Sequence, residues 1–401
     1  MSSVSRNLLF LFISRGTRSF AAGFLAVIIG LYFLYSLHIS TLLIGVLFAA
    51  GALATPVISL IVGRYGDIYG RKKVLMIDML TMPAAIIIIL LTKNYLLLMV
   101  ATSLGGFGIA GGLVGGGVGA SVGPVVSAML AENTTMKNRT FLFSVNNQIS
   151  TFAGAAGALI VAFLSYRQLF LLGLVFSFIA FISILPIKES YKPEPQKSGS
   201  SSNISESDRK IIKIFAYTGI FNGLGQGFIT PFLPIIFSEF FHLTNAKIGI
   251  LVTVGGLISG LAFMFTPYFT NRVGFLKFIT ITRIISATLV IALPFSFSAI
   301  MAELLYILFT PLRAISLPAQ SSLQMTLLSV KSRSTGSGIN QAARLFPSAL
   351  ATIIGGAMLV GLPLATPFVI ASGFTYANVY LYLRFFRGVK LANKPEREIG
   401  G

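Results

Sequence analysis

About a dozen apolar runs, each close to or longer than 20 residues, follow one another along this 401-residue chain. A helix of that length crosses roughly 30 Å of hydrocarbon. No soluble core absorbs so many of them, and a lipid-facing barrel would show short alternating segments instead. The runs fall at 8–34, 41–62, 74–91, 95–130, 140–164, 168–187, 211–237, 247–269, 275–295, 299–328, 336–360 and 363–386. The chain therefore reads as an all-α membrane protein with twelve transmembrane helices. Only 10% of its residues are charged, against about 25% in a soluble globular protein.

The first run carries Arg15 and Arg18 and is too long for the apolar segment of a cleaved signal. It is expected to be a permanent span. Cysteine is absent, which excludes disulfides and thiolate metal ligands. No metal site and no cofactor are expected. The glycine-rich run from Gly105 to Pro124 lacks the terminal Gly-Lys-Ser/Thr of a phosphate loop. Its glycines suit close helix packing or bending instead. No nucleophile, acid–base pair or metal set converges anywhere, so an enzyme is not expected.

A net charge of +19 would suit a nucleic-acid partner, but its distribution says otherwise. With the N-terminus inside, 22 of the 30 lysines and arginines fall in inside segments and only Lys93, Arg167 and Lys247 fall outside. That bias places both termini in the cytoplasm of a multi-pass cell-membrane protein. Basic loops beside anionic lipid account for the charge.

Residues 188–210 are polar and rich in Ser and Pro. They divide the chain into a bundle at 1–188, a cytoplasmic linker at 189–210, a bundle at 211–390 and a tail at 391–401. A short interfacial helix is expected near 207–213. An internal repeat supports the division. Gly63-Arg-Tyr-Gly-Asp-Ile-Tyr-Gly-Arg-Lys-Lys73 returns 204 residues later as Pro267-Tyr-Phe-Thr-Asn-Arg-Val-Gly-Phe-Leu-Lys277. At the same offset Gly23 meets Gly227, Gly45 meets Gly249 and His38 meets His242. Later the offset becomes 194, pairing Pro124 with Pro318 and Arg139 with Arg333. Parallel six-helix repeats are a transporter architecture.

The pattern Gly63-x-x-x-Asp67-x-x-Gly70-Arg71-Lys72-Lys73 resembles the signature between the second and third spans of the major facilitator superfamily. The resemblance extends over span count, linker and repeat. It implies the major facilitator fold, two pseudo-symmetric six-helix bundles around a central cavity, moving by alternating access. It also implies a conformational gate of Gly63, Asp67, Gly70 and Arg71, with Glu132 and Arg139 in a neighbouring charge network. By resemblance Asp67 approaches the start of span 11, near 334–336, in the outward-open state. In the second copy Asn271 and Arg272 take the corresponding places, so one latch is charged and the other neutral. The glycine–proline signature of drug/proton antiporters on span 5 is not evident at Gly154-Ala-Ala-Gly157.

Five arginines lie within spans: Arg15, Arg18, Arg283, Arg313 and Arg344. Ionisable groups at that depth usually face protein or water. Arg15 and Arg283 are expected near span ends, where a side chain can reach the interface. Arg18 and Arg313 lie deeper, on spans that the resemblance makes cavity-lining. Asn222 and Gln226, one turn apart, and Gln320 complete the candidate substrate cavity. Interhelical bonding is the alternative for each. Proton coupling needs a titrating group, and Asp78, Glu303, His38 and His242 are the candidates. The two histidines sit at equivalent span ends, where a turn role competes.

The expected function is secondary active transport of a small-molecule substrate by a monomer in lipid, with a proton as possible co-substrate. Proton-linked export of an amphipathic or drug-like compound leads. A proton-coupled carrier of an anionic metabolite, using the intramembrane arginines, is the alternative. A channel is a further class, which the latch and the two bundles disfavour.

Overall fold

The computed structural model describes residues 3–107, 123–133, 139–189, 205–329 and 332–386. These residues form fifteen α-helices and no strand. The first half holds α1 (Ser3–Leu31), α2 (Thr41–Tyr69), α3 (Arg71–Met79), α4 (Thr81–Leu91), α5 (Tyr95–Gly105), α6 (Gly123–Glu132), α7 (Arg139–Ile160) and α8 (Tyr166–Ile182). The second holds α9 (Glu206–Gly227), α10 (Leu233–Glu239), α11 (Asn245–Val273), α12 (Phe275–Ala292), α13 (Ala299–Leu327), α14 (Arg333–Gly361) and α15 (Ala365–Phe386).

Side-chain caps set many of the boundaries. Ser40, Asn94, Ser205, Thr244 and Ser298 each accept from a backbone N–H in the first turn of the helix they precede, satisfying donors the helix cannot. The third apolar run breaks at Leu80 into α3 and α4. The separate helix expected near 207–213 does not exist. Ser205 caps a helix that begins at Glu206 and runs without interruption into the apolar segment.

Eight helices among the described residues are long and apolar enough to cross a membrane. Two more apolar helices, α5 and α8, are 11 and 17 residues long. Of the fourth expected span, 108–122 lie outside the described residues, as do 190–204 and the expected tail. Large side chains such as Leu60, Ile77, Leu91, Met264 and Leu304 are exposed. They form the surface a hydrocarbon solvent requires. In lipid, helices then associate by close packing and interhelical hydrogen bonds rather than by escape from water.

The sequence repeat is a structural repeat. Gly70 and Gly274, the two interhelical turns, have φ of 103° and 84°, a region that favours glycine. His38 and His242 have φ of 54° and 53°. The next residues, Ile39 and Leu243, donate back to Phe33 O and Phe237 O at 2.9 and 3.0 Å, closing the helix ends. Packing repeats as well. A Cβ on Gly23 would collide with Gly154 O, and one on Gly227 with Ser348 O. The offsets of 204 and 194 map the first pair onto the second. α1 thus packs on α7 as α9 packs on α14.

Contacts between the halves follow the same relation. α2 packs on α14, and α11 on α7. Gly45 faces Thr352 O and its counterpart Gly249 faces Ala158 O. Ala52 clusters with Ala349, and their counterparts Gly256 and Ala155 touch. The two seams meet beside α10. There Phe48 and Phe232 have ring centroids 6.0 Å apart, and Tyr35 donates to Glu239, its own repeat counterpart.

All these contacts lie toward one end of the molecule. The larger of two apolar cores that draw on both halves lies at that end and includes Phe24, Phe48, Phe170, Phe232, Phe237 and Tyr306. The opposite end carries Lys72, Lys188, Arg272 and Lys277, and is here called the basic end. Its apolar side chains form two separate cores. One contains Leu11, Val62, Leu75, Met129 and Ile184, all from the first half. The other contains Phe215, Ile279, Leu323 and Tyr382, all from the second. Among the described residues, no apolar core at the basic end draws on both halves.

Candidate functional site

The sequence places its gate at the α2–α3 and α11–α12 turns, and the two turns differ. Behind Gly70 lies the Glu189 carboxylate, which would be 2.9 Å from a Cβ at that glycine. Glu189 accepts from the Lys72 backbone N–H at 3.2 Å, and Lys72 Nζ donates to Leu185 O at 2.7 Å. A carboxylate at the N-terminus of α3 meets exposed amides and the positive end of the helix dipole. At the second turn, nothing lies within 4 Å of a Cβ on Gly274. Asn271 is exposed, and the Arg272 guanidinium rests 4.6 Å from the Tyr268 ring centre. The first turn is braced against the segment that follows α8, and the second is open. The side chains of Gly63, Asp67, Glu132, Arg139 and residues 333–335 lie outside the described ones, so the proposed latch contact is not visible.

Each half is also tied at the basic end. Asn7 on α1 donates to Asn133 at 3.1 Å and to Lys188 O at 3.0 Å, and accepts from the Lys188 N–H. In the second half Asp208, in the first turn of α9 ahead of its apolar stretch, accepts from the Ser329 N–H and hydroxyl at 3.1 and 2.5 Å. These donors hold the Asp208 carboxyl down at about 2. One tie is neutral and the other ionic.

The candidates for cavity and coupling are partly brought together. Arg18 on α1 lies 3.6 Å from Asp78 on α3 as a buried ion pair, and its Nη1 also donates to Met79 Sδ at 3.0 Å. A cavity candidate and a coupling candidate are thus each other's partners. Arg283 is not at the interface, as its place in the sequence suggested. It is 4% exposed, held between α12, α13 and α15. It donates to Gln320, Asn378 and Ser316, and lies 4.9 Å from the Tyr382 ring centre. Asn378 in turn donates to Thr218 O on α9. Gln320, expected in the cavity, is therefore engaged by Arg283.

Gln226 Nε2 donates to Asn222 Oδ1 at 2.9 Å, as their one-turn spacing predicts. Gln324, a turn below Gln320, accepts from Asn340 on α14. Arg313 and Arg344 are half-buried. Neither donates to any group among the described residues. Glu303 is half-buried in the second turn of α13, and His38 and His242 are exposed in their turns. Among the described carboxylates, Asp78, at the end of α3, is the one that is 2% exposed and paired with a buried arginine.

Sequence reasoning passed over Glu189, Asp208 and Asn378. Asn378 carried a signal, an amide inside an apolar run. The first two sit in polar stretches where carboxylates are unremarked. No group of three or more His, Cys, Asp or Glu suited to a metal occurs among the described residues.

Comparison with known proteins places these features in a family. A model of the Major Facilitator Superfamily matches residues 11–352. Multidrug resistance protein 1 of Bacillus subtilis is 24% identical over 269 residues, which is 64% of this chain and 65% of that relative's length. The crystal structure of an auto-inhibited POT family peptide transporter superposes with a TM-score of 0.77 at 11% identity, over 97% of this chain and 99% of that one. The nucleoside transporter NupG gives 0.73 at 15% identity, over 96% and 100%. The human organic anion transporter MFSD10 gives 0.66 at 13%, over 95% and 100%.

Proposed function

The chain belongs to the major facilitator superfamily, and from that premise we propose that it is a secondary carrier moving a small solute across the cell membrane by alternating access. Twelve spans form two six-helix halves, and the basic end faces the cytoplasm. The conformation described above is then the inward-open one. The observation that carries this reading is the distribution of apolar cores. Two are shared between the halves, and the two at the basic end each belong to one half. Rocking about pseudo-symmetric seams would open one end as it closes the other.

For the solute, the leading reading is proton-linked export of an amphipathic compound. The multidrug relative and the phenylalanine-rich interior support it. Asp78 is the coupling group best placed among the described residues, because its partner Arg18 stabilises the ionised form until something displaces it. A second reading, an anionic solute, is favoured by the half-buried arginines of α13 and α14. Counterflow in proteoliposomes with a panel of neutral, cationic and anionic solutes, under imposed proton gradients, tests both. Solute-driven exchange that responds to the gradient is expected. Currents far above carrier turnover, or no exchange of any solute, would sink the carrier reading.

A further inference from the structure

The two seams between the halves share their small residues but not what surrounds them, and the difference bears on how the halves move. On the α7–α11 seam, the buried Thr253 hydroxyl lies 2.9 Å from Ala155 O across the seam and 2.8 Å from Gly249 O on its own helix, so its proton is shared between them. Two turns along α11, the Phe152 ring is seated against Gly260, where a Cβ would come within 2.9 Å of it. At the outer rim, Asn245 Nδ2 in the first turn of α11 donates to Tyr166 Oη in the first turn of α8 at 2.8 Å. Two hydrogen bonds and an interlocked ring thus fix α11 to the first half at three levels.

The α2–α14 seam is built differently. The repeat offsets map Thr253 onto Ala49 and Ala155 onto Ala349, two alanines of one apolar cluster. Among the described side chains no hydrogen bond joins α2 to α14. Thr55 bonds within α2, and Thr352 bonds to α9 and to its own helix. Phe152 maps onto Phe346, which is 42% exposed, and Gly260 maps onto Pro56. Pro56 and Pro347 lie inside α2 and α14, each close to the Ala52 and Ala349 level. A proline removes the hydrogen bond to the carbonyl four residues back and lets a helix bend. For Pro56 that carbonyl belongs to Ala52 itself. The equivalent residues of the other seam are Gly260 and Ala153, and Pro267 of α11 lies nearer the basic end. Toward the joined end, a Cβ on Gly45 would lie 3.4 Å from Gly356 Cα, backbone against backbone. Smooth, unbonded surfaces let packed helices slide, whereas bonded and interlocked ones resist it.

We infer that α7–α11 is the pivot of the molecule and α2–α14 its sliding seam, so that the joined end opens on the α2–α14 side. This rests on the carrier reading and goes beyond it, since rocking about a pseudo-symmetric pair of seams does not distinguish them.

The test uses the absence of cysteine and the repeat itself. Ala155→Cys with Gly256→Cys places a disulfide across α7–α11, and the counterpart pair Ala349→Cys with Ala52→Cys places one across α2–α14. A Cβ on Gly256 would lie 3.1 Å from that of Ala155, a little inside the roughly 3.5–4.5 Å that a disulfide spans. Counterflow in proteoliposomes is read with tetraphenylphosphonium, benzoate and uridine as cationic, anionic and neutral probes, before oxidation, after it and after reduction. The α7–α11 variant is expected to keep its exchange when oxidised. The α2–α14 variant is expected to lose most of its exchange and to regain it on reduction. Equal loss, equal retention or the reverse order would overturn the assignment. Spin labels on otherwise unmodified chains decide the matter without a solute, should a double variant be inactive even when reduced. Labels at Ile61 and Gln341 span α2–α14, and labels at their counterparts Phe265 and Asn147 span α7–α11. The distance distribution is expected to be broader for the first pair. Equal widths, or a broader distribution across α7–α11, would overturn the pivot. Absence of exchange by the unmodified chain with every probe would count against the carrier reading, while the label widths still judge the pivot by themselves.

Discussion

The first and second halves share a backbone plan and differ in how they handle charge inside it. Asp78 faces Arg18 across α1 and α3. The repeat maps Arg18 onto Asn222, Asp78 onto Thr282 and Met79 onto Arg283. The arginine has moved to the other helix of the pair and the carboxylate has disappeared. In its place Gln320, Asn378, Ser316 and Tyr382 gather around Arg283. Duplicated folds need only their seams to match, here the glycine and alanine contacts of α2 with α14 and α7 with α11. Charge in the interior was free to diverge: Arg18 is paired with a carboxylate on one side, and Arg283 is held by neutral groups on the other.

That contrast can be broken most severely at Asp78. Asp78→Ala strands Arg18 and is expected to cost about 3–5 kcal/mol of stability, measured by unfolding in detergent. Replacing both partners with Arg18→Met and Asp78→Leu should recover most of the loss. Arg283→Met, which leaves neutral acceptors without their donor, is expected to cost less, about 1–3 kcal/mol. Equal losses from Asp78→Ala and Arg283→Met would erase the electrostatic difference between the halves.

The shared plan makes the opposite forecast. Gly23→Ala and Gly227→Ala put a methyl against equivalent carbonyls and should destabilise alike, by about 1–3 kcal/mol each. A large inequality would mean the seams are not equivalent.

The smallest effect concerns the basic-end ties. The Asp208 carboxyl lies at about 2 when folded, below its ordinary 3.8. A depressed carboxylate contributes stability above its unfolded value and loses it as pH falls toward the folded one. The stability difference between the unmodified chain and Asp208→Asn should therefore be constant from neutral pH down to about 4 and fade toward about 2. The neutral tie at Asn7, tested with Asn7→Ala, should show no such fade.

Much of this plan was legible in the sequence. Gly70 with Gly274, and His38 with His242, were paired by spacing alone, and each pair shares one backbone conformation. Turn and seam residues repeat because backbone geometry constrains them locally. The charge arrangement was not legible. Arg18 and Asp78 are 60 residues apart, and nothing along the chain says that α1 and α3 bring them together. Arg283 looked like an interfacial residue because depth was judged from position in a run. Its burial depends on α13 and α15 closing over it. Glu189 looked like linker because its role exists only once α8 ends beside α3.

The central claim is that the halves are joined at one end, parted at the other, and exchange these states. Since the chain contains no cysteine, pairs of spin labels can be placed without background. Labels at Leu42 and Leu362 report the joined end, and labels at Ile68 and Ile339 report the basic end. Without solute, pulsed electron–electron distances should be short for the first pair and long for the second. Solute with an imposed gradient should lengthen the first and shorten the second. Distances that stay fixed under every condition, or that lengthen together, would contradict alternating access in this protein.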